Sequence, residues 1–249
     1  MATYLTGDIH GDVDSRFDKE TLTEEGIHPT TDDLLVILGD AGVIWSTPAK
    51  EYPRLAARDE RVVETLLEVW PGEVAFVDGN HENFATLAKL PQTERWGAPV
   101  GVVRERLYRL LRGEIYQLPA TNGTVSCFVM GGAYSVDKMW RVEGRDWWPE
   151  EIPSRSELAH GRDTLERAGW QVDYVLTHDC APFMLHTLTF DSPFGHIEHR
   201  DRLTEFLGEV DGRTSFTHWY CGHYHVNRHA GDQHTCLYKV VVPLEEGLH

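Results

Sequence analysis

Thr3-Tyr4-Leu5-Thr6-Gly7-Asp8-Ile9-His10-Gly11 sets a short run of strand-forming residues directly before an acidic and an imidazole side chain. Such a run reads as a β-strand, and the glycine marks its end. Asp8 and His10 are two residues apart. In extended chain that spacing points both side chains the same way, so the pair can converge on one small volume. The pattern recurs. Residues 34–38 lead into Gly39-Asp40, residues 74–77 and Asp78 into Gly79-Asn80-His81-Glu82, residues 174–176 into Thr177-His178, and residues 216–221 into Gly222-His223-Tyr224-His225. A metal-ligating side-chain type thus follows five separate strands, and open α/β sheets form their sites outside the carboxyl ends of strands.

Outward from these motifs, residues 125–130 and 236–242 are further strand candidates, and residues 58–69, 82–89, 156–168 and 199–207 have helical character. In the first of these, Val62, Val63, Leu66, Leu67 and Val69 fall at helical spacing before Pro71-Gly72 stops the run. Strands alternating with helices, with a hairpin-rich middle, predict an α/β sandwich. The length of 249 residues suits one domain over residues 1–249. Residues 137–153, DKMWRVEGRDWWPEEIP, form a Trp-rich loop of a length that is often functional.

The ligand set is informative. Carboxylates, one amide oxygen and imidazoles, with no cysteine, suit manganese, iron, zinc or nickel better than a soft metal. Asp8, Asp40, Asn80 and His223 each follow a glycine, which lets backbone approach a crowded ion cluster. The four cysteines form no CxxC pair and read as reduced, buried filler. A net charge of −17 argues against a nucleic-acid-binding face. No apolar run is long enough to span a bilayer and the N-terminus lacks a basic signal region, so the expected location is cytoplasmic.

Each motif alone is weak, since Gly-Asp is ordinary turn chemistry and a lone His178 at a strand end is more often structural. Together, GDxHG, GD, GNHE, TH and GHxH resemble the calcineurin-like metallophosphoesterase family, over nearly the whole chain from Asp8 to His225. The resemblance implies an α/β fold, a two-sheet β-sandwich flanked by helices. It implies two divalent metal ions, manganese first, with iron, zinc, nickel or magnesium as alternatives. Asp8, His10 and His225 would bind one, Asn80, His178 and His223 the other, and Asp40 would bridge them. A hydroxide shared between the metals would attack phosphorus. His81 would bind no metal and would stabilise the transition state or protonate the leaving oxygen. The implied activity is that of a hydrolase, a phosphatase or phosphodiesterase, acting on a phosphorylated small molecule or nucleotide.

The chain also departs from the protein serine/threonine phosphatases of that family, which read GDxVDRG at the second motif. Val43 stands where they carry an aspartate that orients the catalytic histidine, and Ile44 where they carry a phosphate-gripping arginine. A phosphoprotein phosphatase is therefore the alternative within the fold. Arg141 and Arg145 are candidate replacement cations, and Trp140, Trp147 and Trp148 a candidate stacking wall, although Trp147-Trp148 read better as anchors of the loop. The alternative of a different class is a non-catalytic metallophosphoesterase-like binding scaffold. Such a scaffold should have lost ligands, and here all seven ligand types and His81 stand in place. Asp179 could orient His178 or cap the turn before Pro182, and residues 196–199 read as a surface helix start.

Overall fold

A computed structural model describes residues 1–45, 53–190 and 200–248. Thirteen strands form two sheets. They are β1 Thr3–Thr6, β2 Leu34–Ile37, β3 Glu73–Phe76, β4 Gln92–Arg95, β5 Ala98–Arg104, β6 Leu107–Leu110, β7 Ile115–Ala120, β8 Gly123–Met130, β9 Tyr174–Thr177, β10 His218–Cys221, β11 Arg228–His229, β12 His234–Cys236 and β13 Val241–Pro243. The first sheet has the order β13-β1-β2-β3-β6-β5-β4 and the second β11-β12-β10-β9-β8-β7. In the first, β1, β2, β3 and β6 are parallel. In the second, β8, β9, β10 and β12 are parallel. The remaining pairs are antiparallel, and three of them, β4–β5, β5–β6 and β7–β8, supply the hairpins of the middle of the chain.

Side-chain alternation explains the layers. Leu34, Val36 and Leu38 point into a core that also holds Leu118, Val129, Leu176 and Tyr220 from the second sheet. Leu35 and Ile37, one residue out of phase, pack instead with Val62, Val63 and Leu66. Those three belong to the helix α2, Pro53–Val69, which follows α1, Lys19–Glu24. Opposite, Phe128 and Val175 meet Leu158, Leu165, Phe206 and Val210, from α4, Arg155–Arg167, and α6, Arg202–Arg213; α3, Phe84–Leu87, and α5, Leu185–Thr189, are short. The layers run helix, sheet, sheet, helix, the α/β sandwich that was expected.

Differences from the sequence reading have local causes. The helix expected over 82–89 shrinks to α3 because the Asn83 side chain caps it, accepting from the Thr86 N–H at 3.0 Å. The helix expected over 199–207 begins at Arg202, where Asp201 accepts from the N–H groups of Leu203 and Thr204, and extends to Arg213. The helix-start reading of residues 196–199 lies outside the described residues. The single strand expected over 236–242 is two strands in different sheets, because the chain crosses the sandwich between Cys236 and Val241. No described helix is long and apolar enough to cross a membrane. All four cysteines are free and buried.

One buried ion cluster braces the third motif. Asp78 is fully buried, and Arg109 grips both its oxygens at 2.7 Å. Arg112 Nε lies 3.0 Å away, out of line for a hydrogen bond. Burial alone would raise the Asp78 carboxyl; Arg109 and Arg112 outweigh it and hold the pKa below the usual range. Asp78→Ala would leave the Arg109 guanidinium without its carboxylate partner, while Arg112 keeps Glu157, and is expected to destabilise the fold by about 3–5 kcal/mol. Thermal unfolding should fall by on the order of 10 °C. An unchanged melting temperature would show that the Arg109 guanidinium does not depend on Asp78.

Candidate metal centre

Five parallel strands of the two sheets deliver the motif residues to one end of the sandwich. Asp8 follows β1, Asp40 follows β2, and Asn80 and His81 follow β3, while His178 and the pair His223 and His225 follow β9 and β10. Backbone bonds stitch the motif loops together: His10 N–H donates to the Asp40 carbonyl at 2.7 Å and Gly222 N–H to the His178 carbonyl at 3.0 Å. Two side chains cross between the sheets. His178 Nδ1 lies 2.7 Å from the Leu38 carbonyl, and the His223 N–H donates to Asp8 Oδ1 at 2.9 Å.

The glycines leave room that a side chain would fill. A Cβ on Gly79 would sit 1.9 Å from Asp40 Oδ1, and one on Gly39, whose φ is +94°, 2.1 Å from His178 Nδ1. Strain accompanies the crowding. His10, Asp40, His223 and His225 all hold left-handed backbone, with φ of 48°, 47°, 69° and 53°. Non-glycine residues rarely adopt this region, and strain of this kind gathers at functional sites.

Asp8, His10 and His225 each present a ligand atom within 4.8 Å of the others, as do His10, Asp40 and His81, and Asp8, Asp40 and His178. The groups share members, so they form one cluster. His225 Nε2 is 3.1 Å from Asp8 Oδ2 and 3.0 Å from His10 Nε2. His178 Nε2 lies 3.1 Å from Asn80 Oδ1 and 3.6 Å from Asp40 Oδ1. The His223 ring is outside these groups and packs against His178 with centroids 5.0 Å apart. Five of the seven expected ligands, Asp8, His10, Asp40, His178 and His225, therefore share one cluster; Asn80 Oδ1 joins it beside His178, and the His223 ring packs on His178 from outside it. His81, expected to stand off the metals, also turns a ring nitrogen towards Asp40 and His10.

The chemistry of this donor set fits divalent cations. Asp8 and Asp40 are buried, and their ion pairs among the described residues are with histidines alone. Burial would raise both carboxyls; His178 above all outweighs it and holds both below the usual range. Conversely, burial would depress His178, but Asp40 and Asp8 lift it to about 10. The carboxylates thus draw a proton onto an imidazole where a cation would serve, the usual competition between protons and metal at a ligand site. Donation from Nδ1–H to Leu38 fixes the tautomer and leaves Nε2 free to ligate. The Nε2 atoms of His10 and His225, 3.0 Å apart, could likewise both ligate one ion.

Arg141 reaches His81. One guanidinium nitrogen lies 2.7 Å from His81 Nδ1 and 2.6 Å from Asp137 Oδ2, and another donates to the Asp146 carbonyl at 3.1 Å. The contact supplies the partner of His81 that the second motif lacks, since Val43 is buried in an apolar cluster. Burial lowers His81 more than Asp40 raises it, and Arg141 adds to the fall, bringing its pKa to about 4. Arg145 instead pairs with Asp146 at the surface. Trp148 is buried against Trp45, and Trp140 is 82% exposed.

Sequence reasoning missed the residues that hold the motif backbones. Arg16, buried, donates to the carbonyls of Gly7, Asp8 and Tyr238. Arg58 donates to the His10 carbonyl at 2.8 Å. Asp179 does not orient His178: its Oδ1 accepts from Tyr224 Oη and from the Cys180 N–H, tying down the loop that carries His223 and His225. No local signal marks such contacts, because the partners are distant in sequence or are carbonyls.

No curated protein matches the chain. The family model described as calcineurin-like phosphoesterase matches residues 1–227. That span contains all five motifs and the strands β1, β2, β3, β9 and β10 that carry them. The chain belongs to the calcineurin-like phosphoesterase family, whose members are metal-dependent hydrolases that typically bind two divalent metal ions.

Proposed function

We propose that this protein is a two-metal phosphoesterase acting on a phosphorylated small molecule or nucleotide. What supports the reading is the cluster formed by ligand atoms of Asp8, His10, Asp40, His178 and His225, two of them buried carboxylates, with Asn80 Oδ1 beside His178. Asp8, His10 and His225 would hold one divalent ion, Asn80, His178 and His223 the second, and Asp40 would serve both, with manganese the first choice. When bound, the ions supply an activated water and neutralise charge on the phosphoryl oxygens.

The chain's own groups do the rest. One Arg141 nitrogen lies 2.7 Å from His81 Nδ1 and 3.2 Å from Nε2, and since a guanidinium has only donors the nearer Nδ1 is read as the acceptor. The proton of the neutral ring then lies on Nε2, where it can be given to a substrate oxygen as charge develops. Arg141, held by Asp137 and the Asp146 carbonyl, keeps further N–H groups for a phosphoryl oxygen. The net charge of −17 favours a small substrate over a nucleic acid, and the protein is expected in the cytoplasm.

The test uses metal-stripped protein, reloaded with manganese and offered a chromogenic phosphate monoester and the corresponding diester. Manganese-dependent turnover is expected, and the ratio of the two rates separates phosphatase from phosphodiesterase. Full turnover by metal-free protein would overturn the reading.

A further inference from the structure

Behind Asn80 runs a buried hydrogen-bond chain that the metal centre does not itself require. Asn80 Nδ2 donates to Ser135 Oγ at 2.9 Å. Ser135 Oγ donates to Glu151 Oε2 at 2.5 Å, and the Ser135 N–H donates to Glu151 Oε1 at 3.1 Å. The three residues are 4%, 1% and 1% exposed, so water does not compete for these bonds.

The chemistry gives the chain a direction. The two Glu151 oxygens receive the two protons that Ser135 has to offer, one from its backbone and one from its hydroxyl. A hydroxyl has one proton. Once that proton is committed to Glu151, Ser135 Oγ can only accept from Asn80. The amide must therefore turn its NH₂ to Ser135 and its oxygen to the opposite side, where Oδ1 faces His178 Nε2 at 3.1 Å. Packing alone does not make this choice, because the two ends of a side-chain amide have nearly the same shape. The difference matters at a cation: the oxygen can ligate it, whereas the NH₂ would point two protons at it.

We infer that Ser135 and Glu151 are positioning residues that select the ligating face of Asn80 and thereby set the affinity of one of the two metal positions. The inference rests on the proposed reading of Asn80 as a ligand. It also gives the Trp-rich loop a task. Ser135 precedes that loop, Glu151 lies near its end in a 3₁₀ turn, Pro149–Glu151, and Arg141 between them reaches His81. Docking one segment thus sets both neighbouring residues of the third motif, Asn80 and His81.

The test is calorimetric titration of metal-stripped protein with manganese, counting sites and their affinities. Wild type is expected to bind two ions. Ser135→Ala should weaken one of the two by roughly 10- to 100-fold, the usual cost of losing a group that orients a ligand. Glu151→Gln keeps the shape but can offer an NH₂ to Ser135, reversing the chain, and should weaken the same position. The control is Asn80→Asp, whose two ends are both oxygens. In that background Ser135→Ala should change the affinity by no more than about twofold, the level of independent sites. Equal losses in both backgrounds would make Ser135 a packing residue and overturn the inference, as would full affinity in Ser135→Ala with two ions bound. Should Ser135→Ala fail to fold, the isosteric Glu151→Gln carries the same comparison, made with and without the Asn80→Asp substitution. Fewer than two ions on wild type would overturn the two-metal reading, and with it this inference.

Discussion

Asp40→Asn is expected to abolish manganese loading at both positions and to lower turnover by at least about 10³-fold, on the order seen when transition-state charge stabilisation is lost. Asp40 is 1% exposed and sits between the two halves of the cluster. Its Oδ1 lies 3.6 Å from His178 Nε2 and its Oδ2 3.8 Å from His10 Nδ1. A carboxylate has one oxygen for each half, whereas the asparagine amide has one oxygen, no charge and an NH₂ aimed at the other half. The same oxygen Oδ1 accepts from the His81 N–H at 2.7 Å, so the substitution also loosens the turn that carries Asn80 and His81. Two measurements check this. Metal analysis after manganese loading should fall from two ions per chain towards none. The gain in melting temperature that manganese gives wild type, from about 2.7 kcal/mol of stability per site at 100 times the dissociation constant, should disappear. A variant that still held two ions would remove Asp40 from the shared position.

His81→Ala is expected to separate chemistry from metal binding. Two ions should remain bound while kcat falls by roughly 10²- to 10³-fold on a substrate with a poor leaving group, within the range for a positioned proton donor. The loss should be smaller for a nitrophenyl ester, whose leaving oxygen needs less help. Arg141 lies nearer His81 Nδ1, at 2.7 Å, than Nε2, at 3.2 Å, which assigns the proton of the neutral ring to Nε2. A full rate on the poor leaving group would show that His81 gives no proton to it. Loss of one metal in His81→Ala would make His81 a ligand, which its grouping with His10 and Asp40 also allows.

Much of the architecture was legible because a strand and its end are written locally. Leu34 to Leu38 are five consecutive apolar residues stopped by Gly39, the pattern of a strand buried on both faces, and alternate members do lie in two different cores. The capping box of Ser154 and Glu157, likewise local, set the start of α4 within a residue of its expected place. The split of residues 236–242 between two sheets was not legible, because an apolar run states that it is buried but not against which partner.

The sequence by itself pointed to the family, through it to the two-sheet sandwich, and to the eight candidate side chains, because their motifs stand at the ends of five strands and parallel strands bring such ends together. Only the tertiary structure decided what surrounds them. Arg141 beside His81, Arg16 and Arg58 on the motif carbonyls, Asp179 bound to Tyr224 rather than His178, and the chain from Asn80 through Ser135 to Glu151 all join residues from separate segments. A strand and the turn after it are encoded within a few residues. The direction of a hydrogen bond is settled only when the fold places donor beside acceptor and removes water from between them.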